Sequence, residues 1–185
     1  MTRPTHVALT STIHHFDIDL ADSDRRVYEA LALRVARHPS ESEDYLLTRV
    51  LAYALEYEEG IEFSRGLSDP EEPAISVRDA TGTLRTWVDI GSPDAARLHK
   101  ASKASPRVVV YMHKDPAQYL ARLNGTRIHR SDALELWAVD RAVLSVLVAQ
   151  LNRRVAFSLA VTERELFVAI GSTTITGALT RHALG

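Results

Sequence analysis

The sequence contains no cysteine, and this absence excludes several classes of protein. None of the 185 residues can form a disulfide framework or hold an iron–sulfur cluster. Zinc would have only histidine and carboxylate ligands available. The first residues lack the apolar run of a signal peptide, and no stretch of about 18 apolar residues follows that could cross a membrane. We therefore expect a cytoplasmic protein without a membrane partner.

A large excess of one charge is also lacking. The 22 Lys and Arg residues and 24 Asp and Glu residues leave a formal charge of -2, so the molecule as a whole does not attract nucleic acid. Binding of that kind would need a local basic patch. The length and the 45% apolar content are sufficient for one domain with its own core. We expect a single domain over residues 1–185, and the sequence does not indicate its oligomeric state.

Familiar catalytic motifs are missing as well. The chain has no GxxxxGK[ST], GxGxxG, HExxH or GxSxG pattern, which argues against simple nucleotide hydrolases, dehydrogenases, zincins and α/β-hydrolases. The histidines are scattered apart from the neighbours His14 and His15. Successive side chains of a strand point to opposite faces, so these two do not form a metal site.

Apolar periodicity predicts an α/β fold, in which helices flank a mixed central sheet. The alternation over residues 7–20 changes phase at His14 and His15, which predicts a long first strand or hairpin with a β-bulge. Helical spacing predicts a first helix over 27–37. Ser40 and Glu43 fit a capping box that begins a second helix, extending to about residue 58. The apolar stripe of that helix should pack on the sheet, and it consists of Leu47, Val50, Leu51 and Ala54.

The rest of the chain reads as further strands and helices. Residues 108–112 are apolar at every position, which indicates an interior and parallel strand. The other expected elements are a hairpin turning at 79–82, a helix from Ser92 to about 104, a short strand at 134–138, a helix over 140–152, and a closing hairpin of 156–160 and 166–170.

Three carboxylates are candidates for chemistry. Asp89 ends a strand inside the sheet, where an unpartnered carboxylate is costly. Glu72 has the strand parity to approach it across the hairpin, and two such carboxylates can hold Mg²⁺. The helical repeat turns Glu43 toward the core and Glu41 toward solvent. Structural readings stay open, because Glu43 can simply complete the capping box and Asp89 can accept hydrogen bonds from the following turn.

Five ordered blocks of sequence make the chain recognisable. The blocks are RHPSE at 37–41, FSRGLS at 63–68, EP at 72–73, WVDIGSPD at 87–94 and RLHKA at 97–101. Together they resemble the bacterial YaeQ family over nearly the whole chain, and residues 17–24 and 108–111 fit that family too. Members of that family look like a variation on the PD-(D/E)XK nuclease fold, and the resemblance implies that fold without establishing an activity.

The resemblance also implies a metal-dependent site, to which this chain conforms only in part. The nuclease fold assembles a helix acid, a strand-end acid, an acid on the next strand and a lysine two residues later, around Mg²⁺ or Mn²⁺. By position the helix acid falls at Glu43 and the acid of the next strand falls at Asp89. Glu72, two residues before the expected position, is the candidate substitute for the strand-end acid, and Glu72 and Asp89 are the candidate metal ligands. Ala74 stands where the strand-end Asp is expected, and Gly91 stands where the lysine is expected. Lys100 is a candidate migrated lysine, although a solvated lysine is the alternative.

Positive charge gathers around the helix that follows Asp89. Arg97, Lys103 and Arg107, with His99 and Lys100, can form a phosphate-binding strip, or they can be an ordinary solvated helix face. Two hypotheses follow. One is a metal-dependent nuclease or phosphodiesterase that uses Glu43, Glu72, Asp89 and Lys100. The other is a nuclease-like domain without catalysis that binds nucleic acid or another protein.

Overall fold

The structure is a computed structural model that describes residues 10–65, 69 and 71–185. These residues form one large sheet and four α-helices. The strands are β1 (Thr12–Asp22), β2 (Val27–Arg37), β3 (Ile61–Phe63), β4 (Ile75–Arg78), β5 (Leu84–Ile90), β6 (Arg107–Met112), β7 (Glu135–Val139), β8 (Arg154–Thr162), β9 (Glu165–Ile170) and β10 (Thr173–His182). The helices are α1 (Glu43–Leu55), α2 (Ala95–Ala104), α3 (Pro116–Leu123) and α4 (Arg141–Ala149).

The sheet is mixed, as the sequence predicts. Its strand order is β2-β1-β8-β9-β10-β7-β6-β5-β4-β3. The pairs β1–β8, β5–β6 and β6–β7 are parallel, and the other neighbours are antiparallel. Strand β6 is therefore interior, and Val109 and Val110 are both fully buried. The predicted hairpins β4–β5 and β8–β9 are confirmed, whereas β3, α3 and β10 were not anticipated.

Two apolar cores lie on opposite faces of the sheet. Helices α1 and α4 contribute to the larger core, which includes Leu47, Val50 and Leu147. Helices α2 and α3 contribute Leu98 and Tyr119 to the smaller core. In the described part of the chain no helix is both long and apolar enough to cross a membrane.

The helix predicted over 27–37 is wrong, because these residues form strand β2. All eleven residues of β2 pair in antiparallel register with β1. Leu31 and Val35 are buried, whereas the even-numbered side chains between them are exposed. A spacing of four residues suits one face of a helix, but it is also twice the period of a strand. The apolar positions of this segment therefore fit both structures, and pairing with β1 decides between them.

The β-bulge predicted at His14 and His15 is also wrong. The register from Thr12–Arg37 to Asp22–Val27 is unbroken, and His14 is buried on the same face as Phe16. The His14 ring lies 6.2 Å from the Phe16 ring, and its Nδ1 donates to the Asn152 carbonyl at 2.8 Å. His14 thus acts as a core residue, which continues the alternation. The earlier part of the expected strand, residues 7–9, lies outside the described residues.

The capping predictions miss the cap residues by two positions. Helix α1 begins at Glu43, and the Ser42 hydroxyl, not that of Ser40, accepts the Tyr45 N–H at 3.1 Å. The helix ends at Leu55, where Arg25 donates to the Leu55 carbonyl at 2.7 Å. Helix α2 likewise starts after Asp94 instead of Ser92, and the stripe expected to pack α1 on the sheet is buried as predicted.

Gly60 is the glycine whose replacement should most damage the fold. It has φ +87, and a Cβ built on it would lie 1.9 Å from the Arg78 carbonyl oxygen. Gly82 has φ +83, but nothing lies within 4 Å of its Cβ position. We expect Gly60→Ala to lower the free energy of unfolding by about 3 kcal/mol and Gly82→Ala by about 1 kcal/mol. Urea unfolding of the two variants measures this, and equal losses would contradict the predicted clash.

Candidate functional site

Asp89 lies near the end of β5 and is almost completely buried, with 2% of its surface exposed. Arg97 of α2 holds both of its carboxylate oxygens, through Nε–Oδ2 at 2.7 Å and Nη2–Oδ1 at 2.8 Å. The Ala74 N–H also points to Oδ1, at 3.4 Å. A two-point pair of this kind is among the stronger interactions available to a carboxylate. The partner that the sequence required for Asp89 is therefore an arginine eight residues later.

Arg97 reaches this position because α2 starts directly beside the sheet edge. Asp94 caps the helix by accepting the Arg97 N–H at 2.8 Å. The Arg97 guanidinium then lies 5.5 Å from the centre of the Trp87 ring and donates to the Glu72 backbone carbonyl at 2.8 Å. The hydrogen bonds that Arg97 donates to Asp89 raise the pKa of Arg97 above its usual value, so the guanidinium stays charged. One side chain thus links β5, α2 and the segment before β4.

The predicted metal ligands do not form a donor set suited to a divalent ion as they stand. Both Asp89 oxygens face the Arg97 guanidinium, and Glu72 contributes a backbone carbonyl to that same guanidinium while its residue is exposed. Across residues 10–65, 69 and 71–185, no three His, Asp or Glu side chains cluster as metal ligands would. A metal role for Glu72 and Asp89 stays a prediction.

The orientation predicted for the helix acids is wrong. Glu41, expected in solvent, has a side chain only 2% exposed, whereas that of Glu43 is 45% exposed and lies 3.5 Å from Arg37. Glu41 precedes α1 and folds back to accept Arg49 Nε at 3.0 Å and the His38 N–H at 3.1 Å. Burial raises the pKa of Glu41 although Arg49 opposes the shift. Helical angles do not apply to Glu41, because the helix begins two residues after it.

The backbone two residues after Asp89 is unfavourable for a lysine. Gly91 has φ +84, a left-handed conformation that favours glycine. A Cβ there would make ordinary contacts, at 3.6 Å from Nε2 of His113 and 3.7 Å from the Tyr45 ring. The other candidate lysine, Lys100, forms an ion pair with Glu71. Among the described contacts, none joins Lys100 to Asp89. The catalytic role of Lys100 therefore stays a prediction.

Arg107 belongs to a different part of the molecule from Arg97. In the parallel β5–β6 pair, Arg107 is opposite Thr86 and Val110 is opposite Asp89, which places Arg107 about 10 Å along the sheet from Asp89. It donates to Glu56 at 2.5 Å and to Glu135 at 2.7 Å. These carboxylates raise the pKa of Arg107 beyond its usual value. Arg97 and Arg107 therefore do not form one continuous strip of positive charge.

A broader basic surface exists that the sequence analysis found only in part. Residues 95–134 contain eight of the 22 Lys and Arg residues but two of the 24 Asp and Glu residues, so the rest of the chain holds 14 basic and 22 acidic residues. Helices α2 and α3 and the loop after α3 cover one face of the sheet together. We call this surface the basic face and define it by its exposed cations, Lys103, Arg122, Arg127 and Arg130. A charge count over successive windows would have revealed it.

The loop of the basic face is fixed to α2 by hydrogen bonds. Arg130 Nη2 donates to the carbonyls of Ser102 at 2.7 Å and Ser105 at 2.9 Å. The His129 N–H donates to Nδ1 of His99 at 3.2 Å. Below the loop, Ile128 is buried in the smaller core. The cations of the loop and of α2 therefore share one ordered surface.

These features define a class of mixed α/β proteins, in which an arginine neutralises the acid at the sheet edge and one face is basic. Residues 7–179 match the family model described as YaeQ protein, and the chain belongs to the YaeQ family. Two related proteins, from Escherichia coli and Salmonella typhi, are each described as an uncharacterised YaeQ protein. The first is 29% identical over 80% of this chain and 82% of its own length, and the second is 30% identical over 76% and 78%.

Two crystal structures of YaeQ proteins share the fold. The protein from Pseudomonas syringae has a TM-score of 0.82 and 30% identity, covering 92% of this chain and 95% of its own. The protein from Xanthomonas axonopodis pv. citri has a TM-score of 0.79 and 28% identity, covering 95% and 100%. The mixed sheet with its helices is therefore a property of the family.

Removing Arg97 should cost stability because it leaves a buried charge without a partner. We expect Arg97→Gln to reduce the free energy of unfolding by about 2 to 3 kcal/mol, at the lower end for a buried pair because the Arg97 side chain is 26% exposed. The double variant with Asp89→Asn should be more stable than Arg97→Gln alone, since neither charge remains. Urea unfolding of both single variants and the double variant tests this coupling. Simple addition of the two single losses would contradict it.

Proposed function

We propose that this protein is a nuclease-like domain without catalytic activity that binds nucleic acid through the basic face. The observation that carries the proposal is the separation of charge. Residues 95–134 contain eight basic and two acidic residues in a chain whose overall charge is -2, and the basic face exposes four of the eight, Lys103, Arg122, Arg127 and Arg130. Local clusters of Lys and Arg bind phosphates by releasing counterions, without any need for a net positive protein. Nucleic acid is the polyanion that such a surface suits.

The loss of catalysis is supported at the sheet edge. A metal-dependent phosphodiesterase needs carboxylate oxygens open to the ion, which activates water and stabilises the developing charge. In this chain Arg97 engages both oxygens of Asp89. Ala74 and Gly91 occupy the positions where the resemblance to the nuclease fold implies an acid and a lysine. The sheet edge thus retains one acid of the set, and that acid has a structural partner.

Charge reversal on the basic face tests the proposal. We expect Lys103→Glu with Arg127→Glu to weaken binding to labelled DNA duplexes and single strands by at least about tenfold at low salt, because two phosphate contacts become repulsive. Fluorescence anisotropy measures the affinity.

The matched control is Arg34→Glu with Arg153→Glu, which changes the net charge equally at exposed positions outside residues 95–134. It should bind as the native protein does. An equal loss of affinity in both double variants would mean that net charge, and not the basic face, determines binding. Absence of binding to any nucleic acid at low salt would contradict the proposal and leave a protein-binding role ahead.

A melt in Mn²⁺ distinguishes the proposal from a metal-dependent nuclease or phosphodiesterase. Because Arg97 already neutralises Asp89, we expect millimolar Mn²⁺ or Mg²⁺ to leave the melting temperature unchanged. An ion that bound the native state at 100 times its dissociation constant would add about 2.7 kcal/mol, which a thermal melt detects easily. A rise that Asp89→Asn abolishes would instead support a metal site at Glu72 and Asp89, and a nuclease assay with the same ions would then be the next measurement.

A further inference from the structure

A cavity lies on the face of the sheet that carries the larger core, opposite the basic face. It has a volume of about 160 Å³ and opens between the end of α1, the turn after β1 and the β8–β9 turn. A cavity of this size accepts a ligand about as large as benzene. Its apolar wall is formed by Leu55, Val161 and Leu179. Charged side chains of both signs complete the lining, so the cavity suits a small ligand that is itself part polar and part apolar.

Most of the charges around this cavity are already paired within the protein. Arg107 joins Glu56 and Glu135, and the Tyr111 hydroxyl donates to Glu56 at 2.7 Å. The guanidinium of Arg25 donates to the carbonyls of Leu55 at 2.7 Å and Tyr57 at 3.1 Å. These groups line the cavity, but their hydrogen bonds within the protein leave them less available to a ligand.

Among the described lining residues, Asp22 is the buried carboxylate without an ion pair, whereas Asp24, which also lacks one, is exposed. Asp22 is 1% exposed and accepts the backbone N–H of Arg25 at 3.1 Å. Within the described part of the chain, no cationic side chain lies within ion-pair distance of its oxygens, since the Arg25 guanidinium turns to the end of α1. Burial raises the pKa of Asp22. A positively charged ligand atom would relieve this desolvation.

Arg164 contributes the complementary charge to the cavity lining. Its guanidinium stacks 4.9 Å from the centre of the Trp137 ring, and among the described residues no acceptor of a hydrogen bond from this guanidinium is present. Glu163 and Arg164 form a turn with φ +51 and +63, an unfavourable backbone for such residues. Asp24 accepts both of their N–H groups, at 2.7 and 2.9 Å, and thereby holds the turn. Two successive residues with positive φ form the type I′ turn that joins the strands of a hairpin, so this turn fixes where the Arg164 side chain starts.

We propose that this cavity binds a small aliphatic zwitterion of the α-amino acid class, with its ammonium group on Asp22, its carboxylate on Arg164 and its side chain against Leu55, Val161 and Leu179. A zwitterion adds no net charge to a lining of four carboxylates and three guanidinium groups. A simple anion would meet the carboxylates, and a simple cation would meet the arginines. The site is independent of nucleic-acid binding.

Calorimetric titration with three ligands of one shape tests the pairing of charges. The probes are L-valine, isobutylamine, which lacks the carboxylate, and isovalerate, which lacks the ammonium group. We expect valine to bind and each analogue to bind at least about tenfold more weakly, because each leaves one buried or stacked charge without its partner. The proposal would be overturned if valine did not bind at about 10 mM, which is about the weakest useful affinity. Binding of either analogue as tightly as valine would also overturn it.

Two variants locate the ligand. Arg164→Gln should weaken valine binding at least about tenfold, and the exposed Arg34→Gln is its matched control and should bind as the native protein does. Asp22→Asn should have the same effect as Arg164→Gln. If Asp22→Asn does not fold, Arg164→Gln and the ligand series still decide the question. Undiminished binding in Arg164→Gln would overturn the assignment.

Discussion

Buried carboxylates paired with arginines are the interaction on which this fold depends. Asp89, Glu41 and Glu56 are each at most 6% exposed, and each meets an arginine from a different segment of the chain. Leaving such a charge unpaired costs several kcal/mol, so each pair fixes where its two segments meet. Arg97 ties α2 to β5, Arg49 ties α1 to the segment before it, and Arg107 ties β6 to the end of α1.

This reliance on arginine also explains how the functional surfaces are divided. Where an arginine is needed to neutralise a buried acid, it is removed from ligand binding, as at Arg97 and Arg107. Exposed cations that no buried acid holds are found above α2 and α3, where acids are scarce. The end of β5 that carries Asp89 and the basic face are therefore adjacent in the chain but differ in their free charge.

Sequence periodicity predicted the interior of the sheet well and its first strands poorly. Residues 108–112 are apolar at every position, a pattern that few structures other than a covered strand can use, and β6 follows it. Residues 27–37 have a spacing that suits helix and strand alike, so only the partner strand β1 settles them. The β-bulge was predicted at His14 because histidine was counted as a polar residue. In the structure its ring is stacked and hydrogen bonded in the core, so the alternation continues through it.

The sequence analysis singled out Asp89 and Arg97 but did not predict the contact between them. The cost of a buried carboxylate showed that Asp89 needs a partner, but spacing could not choose between a metal ion and the arginine on the following helix. The orientation of Glu41 depended on where α1 begins, which is the least certain feature of any helix prediction. Arg164 carried no signal at all, because its position comes from a hairpin turn held by Asp24, 140 residues earlier in the chain.

Strand β2 has a consequence for handling the protein. In the part of the chain that the structure describes, it ends the sheet and pairs on one side only, with β1. Its eleven residues contain no proline or glycine and no register shift, so Glu29, Arg34 and Arg37 are the features of β2 that oppose the addition of another strand. Two molecules that loosen can therefore join through this edge by backbone hydrogen bonds. Protein concentration, as much as intrinsic stability, will then set the temperature at which the protein becomes insoluble.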